Sequence, residues 1–149
     1  MKIRAQTIEE KTMVRYLLND HYAFRHLIAL KSFRTENERI LNEITSLCPD
    51  HPELDENFEK IKETLTTLDK QAEILQQKYA ETRTKVYDLI HTLEDQEQID
   101  ILSMKYLSHK SFDEITDEMN LSKSTILRIH LSGIHRLAEK HYAEIDNFI

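Results

Sequence analysis

The stretch SFDEITDEMNLSKSTILRIH, residues 111–130, contains start signals for two helices. Ser111 is followed three residues later by Glu114, which is the spacing of a capping box. In that motif each side chain accepts a hydrogen bond from the other residue's backbone N–H. We therefore predict a short helix after Ser111, whose apolar face carries Phe112, Ile115 and Met119.

A tight turn is predicted directly after this helix, at Asn120 and Leu121. Asparagine tolerates a left-handed backbone better than most residues do. Leu121 is expected to point back into the core, and Ser122 is a favourable cap for a second helix that runs from Lys123 towards His141. Together these features favour a helix-turn-helix unit. A plain corner of a helical bundle is the alternative.

The exposed side of the second helix is predicted to face a binding partner. Ile126 and Ile129 should be buried, with Thr116 as the small residue where the two helices cross. The exposed side then carries Ser122, Lys123, Ser124 and Arg128, with Thr125, His130 and Ser132 near its edges. Hydroxyl, ammonium and guanidinium groups bind phosphate oxygens and base edges, so this side is a candidate DNA-binding surface.

The segment before this unit is predicted to form two long helices. CPDHPELDEN, residues 48–57, contains both prolines of the chain and breaks the helical pattern. Residues 7–47 lack glycine and proline and are predicted to form one helix, or two helices with a bend near SFRTEN. After the break, apolar positions recur in steps of three and four over five heptads, roughly 50 Å of helix. These positions are Phe58, Ile61, Leu65, Leu68, Ala72, Leu75, Tyr79, Thr82, Val86, Leu89 and Leu93.

The short link between the two helices favours an antiparallel hairpin. Residues 13–30 are apolar over more of the helix circumference than such a hairpin would cover. A second copy of the chain would cover the remainder, so we expect a homodimer through this region. The alternative is that the C-terminal helices fold back over it.

Composition supports a purely helical chain. Its 149 residues include one glycine and two prolines, too few turn residues for strands and hairpins. The predicted fold class is therefore all-α, with a long antiparallel, coiled-coil-like helical hairpin followed by a C-terminal helix-turn-helix domain. We place the dimerisation hairpin at residues 1–93 and the DNA-binding domain at residues 94–149.

Charge is distributed unevenly along the chain. The net charge of −7 alone argues against binding to nucleic acid. Residues 41–120 hold eight basic and nineteen acidic side chains, whereas residues 122–141 hold four basic and one acidic. The predicted second helix is thus locally basic. Its few cations would give weak non-specific binding, so strong binding would need two copies on two half-sites.

Several other classes of protein are not expected from this sequence. It lacks a Gly-rich phosphate loop, a nucleophile elbow and a metal-ligand spacing, so we predict no enzymatic activity, no cofactor and no metal site. The lone Cys48 cannot form a disulfide within the chain. No apolar run reaches the roughly 18 residues of a membrane-spanning helix, and the first residues lack the apolar core of a signal peptide. A cytoplasmic protein is expected.

Residues 101–140 resemble the region-four helix-turn-helix of bacterial sigma factors, which also ends small transcription regulators of phages and mobile elements of the ArpU/RinA type. The pattern of that module is YL…S(F/Y)xEIAxxxxxSxxTVxxxxxxxLxxL. It is matched here by Tyr106, Leu107, Ser111, Phe112, Glu114, Ile115, Ser122, Thr125, Ile126, Ile134 and Leu137. Thr116 departs from the usual alanine, a change that costs little at a helix crossing. The resemblance places Lys123, Ser124 and Arg128 at recognition positions, with Ser122 and Thr125 as phosphate ligands.

The resemblance implies a dimeric, sequence-specific regulator that inserts its second helix into the major groove of double-stranded DNA. Two alternatives remain open. A small terminase-like packaging subunit also joins a helix-turn-helix to a coiled coil, although it usually carries the DNA-binding unit first. A protein-interaction module could instead contact RNA polymerase without binding DNA.

Overall fold

A computed structural model of the chain describes residues 4–145, which form five α-helices and one 3-10 turn. The helices are α1 (Ile8–Leu47), α2 (Phe58–Ile90), α3 (Gln96–Tyr106), α4 (Phe112–Met119) and α5 (Lys123–Ile145). Between residues 4 and 145 there is no β-strand, which confirms the all-α prediction. The first segment is one continuous helix of 40 residues, so the bend allowed for near SFRTEN does not interrupt it.

The link between α1 and α2 contains the two prolines, as expected. A 3-10 turn spans Pro52–Leu54, and the Asp55 carboxylate accepts a hydrogen bond from the backbone N–H of Asn57 at 2.8 Å. The far end of α2 differs from the predicted seam, because the helix ends at Ile90 and Leu93 lies beyond it. Leu93 is nevertheless buried, so the apolar pattern continued past the end of the helix into a turn.

The chain divides into two compact units, and the helices α1 and α2 contribute to both. One, the two-helix unit, comprises residues 23–80. The other, the five-helix unit, comprises residues 4–22 together with residues 81–145 of the described chain. The predicted domain boundary between residues 93 and 94 stays a prediction, and this division groups the helices differently. The reason is that the start of α1 and the end of α2 share a core with the C-terminal helices.

Within the two-helix unit, contacts between α1 and α2 run in opposite directions along the two helices. The Phe24 and Tyr79 rings lie 5.8 Å apart, and Arg34 Nε lies 2.5 Å from an Asp69 carboxylate oxygen. Moving forward along α1 thus means moving backward along α2, so these two segments are antiparallel. The buried apolar side chains of this unit are Leu27, Ile44 and Leu68.

The core of the five-helix unit joins residues that are far apart in sequence. Met13 and Leu17 of α1 are fully buried in the same cluster as Ile134 and Leu137 of α5. The rest of this cluster is formed by Val86, Leu89, Ile90, Leu93, Leu102, Tyr106, Leu107, Ala138 and Ile145. The C-terminal helices therefore cover the apolar start of α1, which was the alternative to covering it with a second chain. A homodimer stays a prediction, with Tyr22 and Phe33 among the large apolar side chains still exposed.

The one glycine of the chain lies where α5 approaches α3. A Cβ added at Gly133 would stand 3.0 Å from Leu102 Cδ1 and 3.4 Å from Gln98 Cβ. A larger residue would require the Leu102 side chain to shift by a few tenths of an ångström, because so short a carbon–carbon distance is repulsive. Gly133 thus lies at a close contact between α5 and α3.

Candidate nucleic-acid interface

Helices α3, α4 and α5 pack around three isoleucines. Ile101, Ile115 and Ile126 each come from a different helix and are fully buried. The half-buried side chains around them are Met104, Phe112, Met119, Leu121 and Ile129. The predicted burial of Ile115 and Ile126 is confirmed, and Leu121 packs against this core as expected. Because Ile115 of α4 and Ile126 of α5 share this core, the opposite side of α5 is left exposed.

The start of α4 has the predicted capping box. The backbone N–H of Glu114 donates to Ser111 Oγ at 3.2 Å, and the backbone N–H of Ser111 donates to Glu114 Oε1 at 3.2 Å. Two N–H groups that the first helical turn leaves unpaired are thereby satisfied. The box was recognisable from sequence because it depends on two residues three positions apart.

The turn between α4 and α5 contains a left-handed residue, as predicted. Asn120 has φ 54° and ψ 38°, and three residues separate the two helices. Ser122 caps α5, since its hydroxyl oxygen accepts a hydrogen bond from the backbone N–H of Thr125 at 3.2 Å. The direction of α5 relative to α4 therefore depends on a backbone conformation that few residue types adopt readily.

Asn120→Gly is expected to leave the free energy of unfolding within about 0.5 kcal/mol of the wild type, because glycine reaches positive φ without strain. Asn120→Val is expected to lower it by about 1 to 2 kcal/mol, because a β-branched residue is strained in this region. Urea unfolding followed by circular dichroism measures both variants. Equal losses in the two would contradict a role for the left-handed backbone.

The predicted binding residues lie together at the start of α5. Ser122, Lys123, Ser124 and Arg128 are exposed, and Thr125 is half-buried. The three hydroxyls are close to one another, because Ser122 Oγ lies 2.8 Å from Thr125 Oγ1 and 3.3 Å from Ser124 Oγ. The structure thus gathers three hydroxyl groups at one helix N-terminus and leaves Arg128 further along the same helix.

The charges around this end suit an anionic ligand. The first turn of α5 contains no acidic residue, and helix N-termini carry a partial positive charge. Lys123 Nζ lies 3.2 Å from Asp113 Oδ1 of α4, and both side chains are more than half exposed. Such an exposed pair is weak, so a phosphate can replace the Asp113 carboxylate as the partner of Lys123.

His130 does not lie where the sequence suggested. Instead of bordering the exposed side of α5 it is buried, and its Nε2 lies 2.7 Å from the Tyr106 hydroxyl of α3. Burial lowers the pKa of His130 to about 4, with a smaller contribution from the positive charge of Lys105. The neutral ring then accepts a hydrogen bond from the Tyr106 hydroxyl. Leu131 is likewise buried, whereas Ser132 is exposed.

Several side-chain contacts that connect α3, α4 and α5 were not predicted from the sequence. The Tyr106–His130 pair joins α3 to α5, and the Phe112 ring stands edge-on to His130 with centroids 5.1 Å apart. The Lys105 ammonium lies over the Phe112 ring, with Nζ 4.5 Å from the ring centroid. Tyr106 and His130 are 24 positions apart in the sequence, and no local pattern indicates that their side chains meet.

The part of the chain that the structure describes contains neither a group of metal ligands nor a membrane-spanning helix. Between residues 4 and 145, no three His, Cys, Asp or Glu side chains are grouped so that they could hold a metal ion. No helix in this range is both long enough and apolar enough to cross a membrane.

Comparison with known proteins gives one family. Residues 56–138 match the model of a family described as protein of unknown function (DUF1492). The search among curated proteins and the search among solved structures returned no match. The matched segment contains α2, α3, α4, the turn at Asn120 and the start of α5. Because the match covers more than half of its 149 residues, the chain belongs to the DUF1492 family.

Proposed function

We propose that this protein is a sequence-specific transcription regulator of a phage or mobile element, which binds double-stranded DNA by placing the start of α5 in the major groove. The observation that carries the proposal is the exposed side of the first turns of α5. It presents Lys123, Ser124 and Arg128 immediately after a three-residue turn from α4. In helix-turn-helix proteins the N-terminal residues of the second helix contact the bases.

The two ends of the exposed surface suit different parts of DNA. Ser122 and Thr125 hold their hydroxyls at the N-terminus of α5, where backbone N–H groups and the helix dipole also favour a phosphate. Arg128 lies further along the helix and is exposed. A guanidinium can donate two hydrogen bonds to one guanine, which makes Arg128 the residue best suited to read sequence.

The charge of the whole chain argues that one copy binds weakly. The net charge is −7, and Lys123, Arg128, Arg136 and Lys140 are the basic residues between residues 122 and 141. Few phosphate contacts give low non-specific affinity. We therefore propose a homodimer that binds two half-sites, which in such proteins are about 34 Å apart, one turn of the DNA helix.

The first test is Arg128→Ala. It is expected to weaken binding to the protein's own site by about tenfold or more while leaving binding to unrelated DNA unchanged, since a base contact is worth about 1 to 3 kcal/mol. Fluorescence anisotropy on DNA from the element's regulatory region measures both affinities. Arg136→Ala is the matched control, because Arg136 lies on the same helix and pairs with Glu139 at 3.4 Å. If Arg128→Ala and Arg136→Ala bind alike, the assignment of Arg128 is wrong.

Light scattering after size-exclusion chromatography tests the assembly. A regulator of paired half-sites should have twice the 17.7 kDa mass of one chain without DNA, and that mass plus the mass of one DNA duplex when DNA is bound. A ring of many chains would instead favour a packaging subunit. A protein that binds no DNA at low salt but captures RNA polymerase from nuclease-treated extract would favour the protein-interaction module.

A further inference from the structure

The two-helix unit has a very small core for helices of this length. Within residues 23–80, three apolar side chains are buried, namely Leu27, Ile44 and Leu68. The other members of the predicted seam in this part of α2 are only half-buried. Most of the stability of a helix in a protein comes from the packing of its apolar face, so a unit with so few buried side chains needs a further packing partner.

An exposed apolar stripe runs along α1 within this unit. We call Ala29, Phe33, Ile40 and Leu47 the α1 stripe. Steps of four and seven residues return to the same side of a helix, so these side chains share one side of α1. Phe33 is 56% exposed and Leu47 82%, while Ala29 is exposed and Ile40 is half-buried. The stripe extends about 27 Å along the helix, at 1.5 Å per residue, which is enough for a contact between two helices.

The two halves of the unit carry opposite charge. Residues 23–35 and 68–80 lie side by side and hold five basic and two acidic side chains. Residues 36–67, which include the link between the helices, hold three basic and nine acidic side chains. A second copy packed parallel to the first would place acid against acid. An antiparallel copy would place the acidic half of each unit against the basic half of the other, which is favourable.

Arg25 and Glu43 show the same complementarity beside the α1 stripe. They are 18 residues apart, which is five helical turns, so they lie on one line along α1. Both side chains are exposed, and Glu43 pairs with Arg39 of its own helix in an ion pair that is exposed and therefore weak. In a twofold antiparallel pair of α1 helices this edge faces itself, so Arg25 and Glu43 would meet twice. In a parallel pair, residues of equal number are level and the two charges stay about 27 Å apart.

We propose that the α1 stripe is the surface through which two copies of the chain form a homodimer, with their α1 helices antiparallel and Arg25 of each copy against Glu43 of the partner subunit. This inference deepens the proposed function, on which it rests for the role of the dimer in DNA binding. The assembly itself can be measured without DNA.

Phe33→Glu tests the α1 stripe. It places a charge within the apolar contact of both copies and should raise the Kd of the dimer about a hundredfold or more, because a buried unpaired charge is costly. Sedimentation equilibrium without DNA measures this Kd. Ile74→Glu is the matched control, because Ile74 is 68% exposed on α2 and lies outside the stripe. It should leave the Kd within about threefold of the wild type, as exposed substitutions usually do. Circular dichroism checks that both variants stay helical.

Glu43→Arg tests the antiparallel orientation. It places like charges together at two points of the dimer and should raise the Kd roughly tenfold. Adding Arg25→Glu to the same chain restores opposite charges at both points, so the double variant should return to within about threefold of the wild-type Kd. A double variant that binds no better than Glu43→Arg contradicts this orientation, because two residues that do not meet cannot compensate for one another.

The one cysteine of the chain gives a direct distance. Cys48 immediately follows α1. With Arg25 level with Glu43 of the partner subunit, the two Cys48 positions of the dimer lie roughly 40 Å apart, at 1.5 Å of helix per residue. Spin labels on Cys48 and double electron–electron resonance should give this distance. Labels within about 20 Å of each other would indicate parallel helices and overturn the proposal.

The remaining outcomes separate this surface from the proposed function. A wild-type dimer that Phe33→Glu does not weaken overturns the stripe and leaves the homodimer of the proposed function intact. A wild type that is monomeric at every concentration contradicts both the surface and the homodimer, and Arg128→Ala then tests DNA binding by itself. A dimer that depends on the stripe but binds no DNA contradicts the proposed function alone.

Discussion

Leu17→Ala is expected to lower the free energy of unfolding of the five-helix unit by about 3 kcal/mol, within the range measured for fully buried leucines. Leu17 is 0% exposed and belongs to the same core as Ile134 and Leu137 of α5. Removing its side chain leaves a cavity against residues from three parts of the chain. The surrounding helices can close such a cavity only in part.

The matched control is Ile8→Ala on the same helix. Ile8 is 75% exposed, so its truncation should change stability by less than about 0.5 kcal/mol. Urea unfolding followed by circular dichroism measures both variants. Leu17→Ala and Ile8→Ala with equal stability would show that the start of α1 does not share a core with the C-terminal helices.

Because of the same core, we expect the predicted domain of residues 94–149 to depend on the start of α1 and the end of α2 for its stability. One buried cluster contains Tyr106 and Leu107 at the end of α3, and Ile134 and Leu137 of α5. Residues 13–17 and 86–93 also contribute to this cluster. A fragment without those segments would expose this apolar surface to water, at roughly 25 cal/mol for each square ångström. The sequence boundary at residue 93 was placed at the end of a periodic pattern, and periodicity does not show which distant segment covers an apolar face.

The parts of the site that the sequence predicted are those determined by neighbouring residues. The capping box at Ser111 and Glu114, the left-handed Asn120 and the Ser122 cap each depend on residues within three positions of one another. Hydrogen bonds of this kind form whenever the local backbone is helical or turning. The exposed side of the start of α5 is also determined locally, because burying Ile126 turns the opposite side of the same helix towards solvent.

The parts that the sequence could not predict depend on contacts across the fold. Helical spacing placed His130 near the border of the exposed side, and only the approach of α3 with its Tyr106 hydroxyl buries the ring. Asp20 and His109 are likewise 89 positions apart and meet because α1 packs beside the α3–α4 loop. No periodic pattern marks either residue as one of a pair.

His130 is expected to make the unit sensitive to acid. Its pKa is about 4 in the folded chain, whereas an unperturbed histidine has a pKa of about 6.5. The unfolded chain therefore binds the proton more tightly, so the stability is present above about pH 6.5 and is lost as the pH falls towards 4. Between pH 7.5 and pH 5 this group should remove about 2 kcal/mol from the free energy of unfolding.

Asp20 contributes with the opposite sign over the same range. Its pKa is raised in the folded chain, to about 6, so the folded state gains roughly 1 kcal/mol relative to the unfolded state as the pH falls from 7.5 to 5. The wild-type profile alone would therefore hide part of the His130 effect. Comparing variants that each lack one of the two groups separates them.

His130→Gln provides that comparison, because glutamine does not titrate and its amide oxygen can still accept the Tyr106 hydroxyl proton. The difference in unfolding free energy between wild type and His130→Gln should shift by about 2 kcal/mol in favour of the variant between pH 7.5 and pH 5. His26→Gln, at an exposed histidine of α1, should show no such shift. If both variants follow the wild type across this range, then burial does not lower the pKa of His130 in the folded chain.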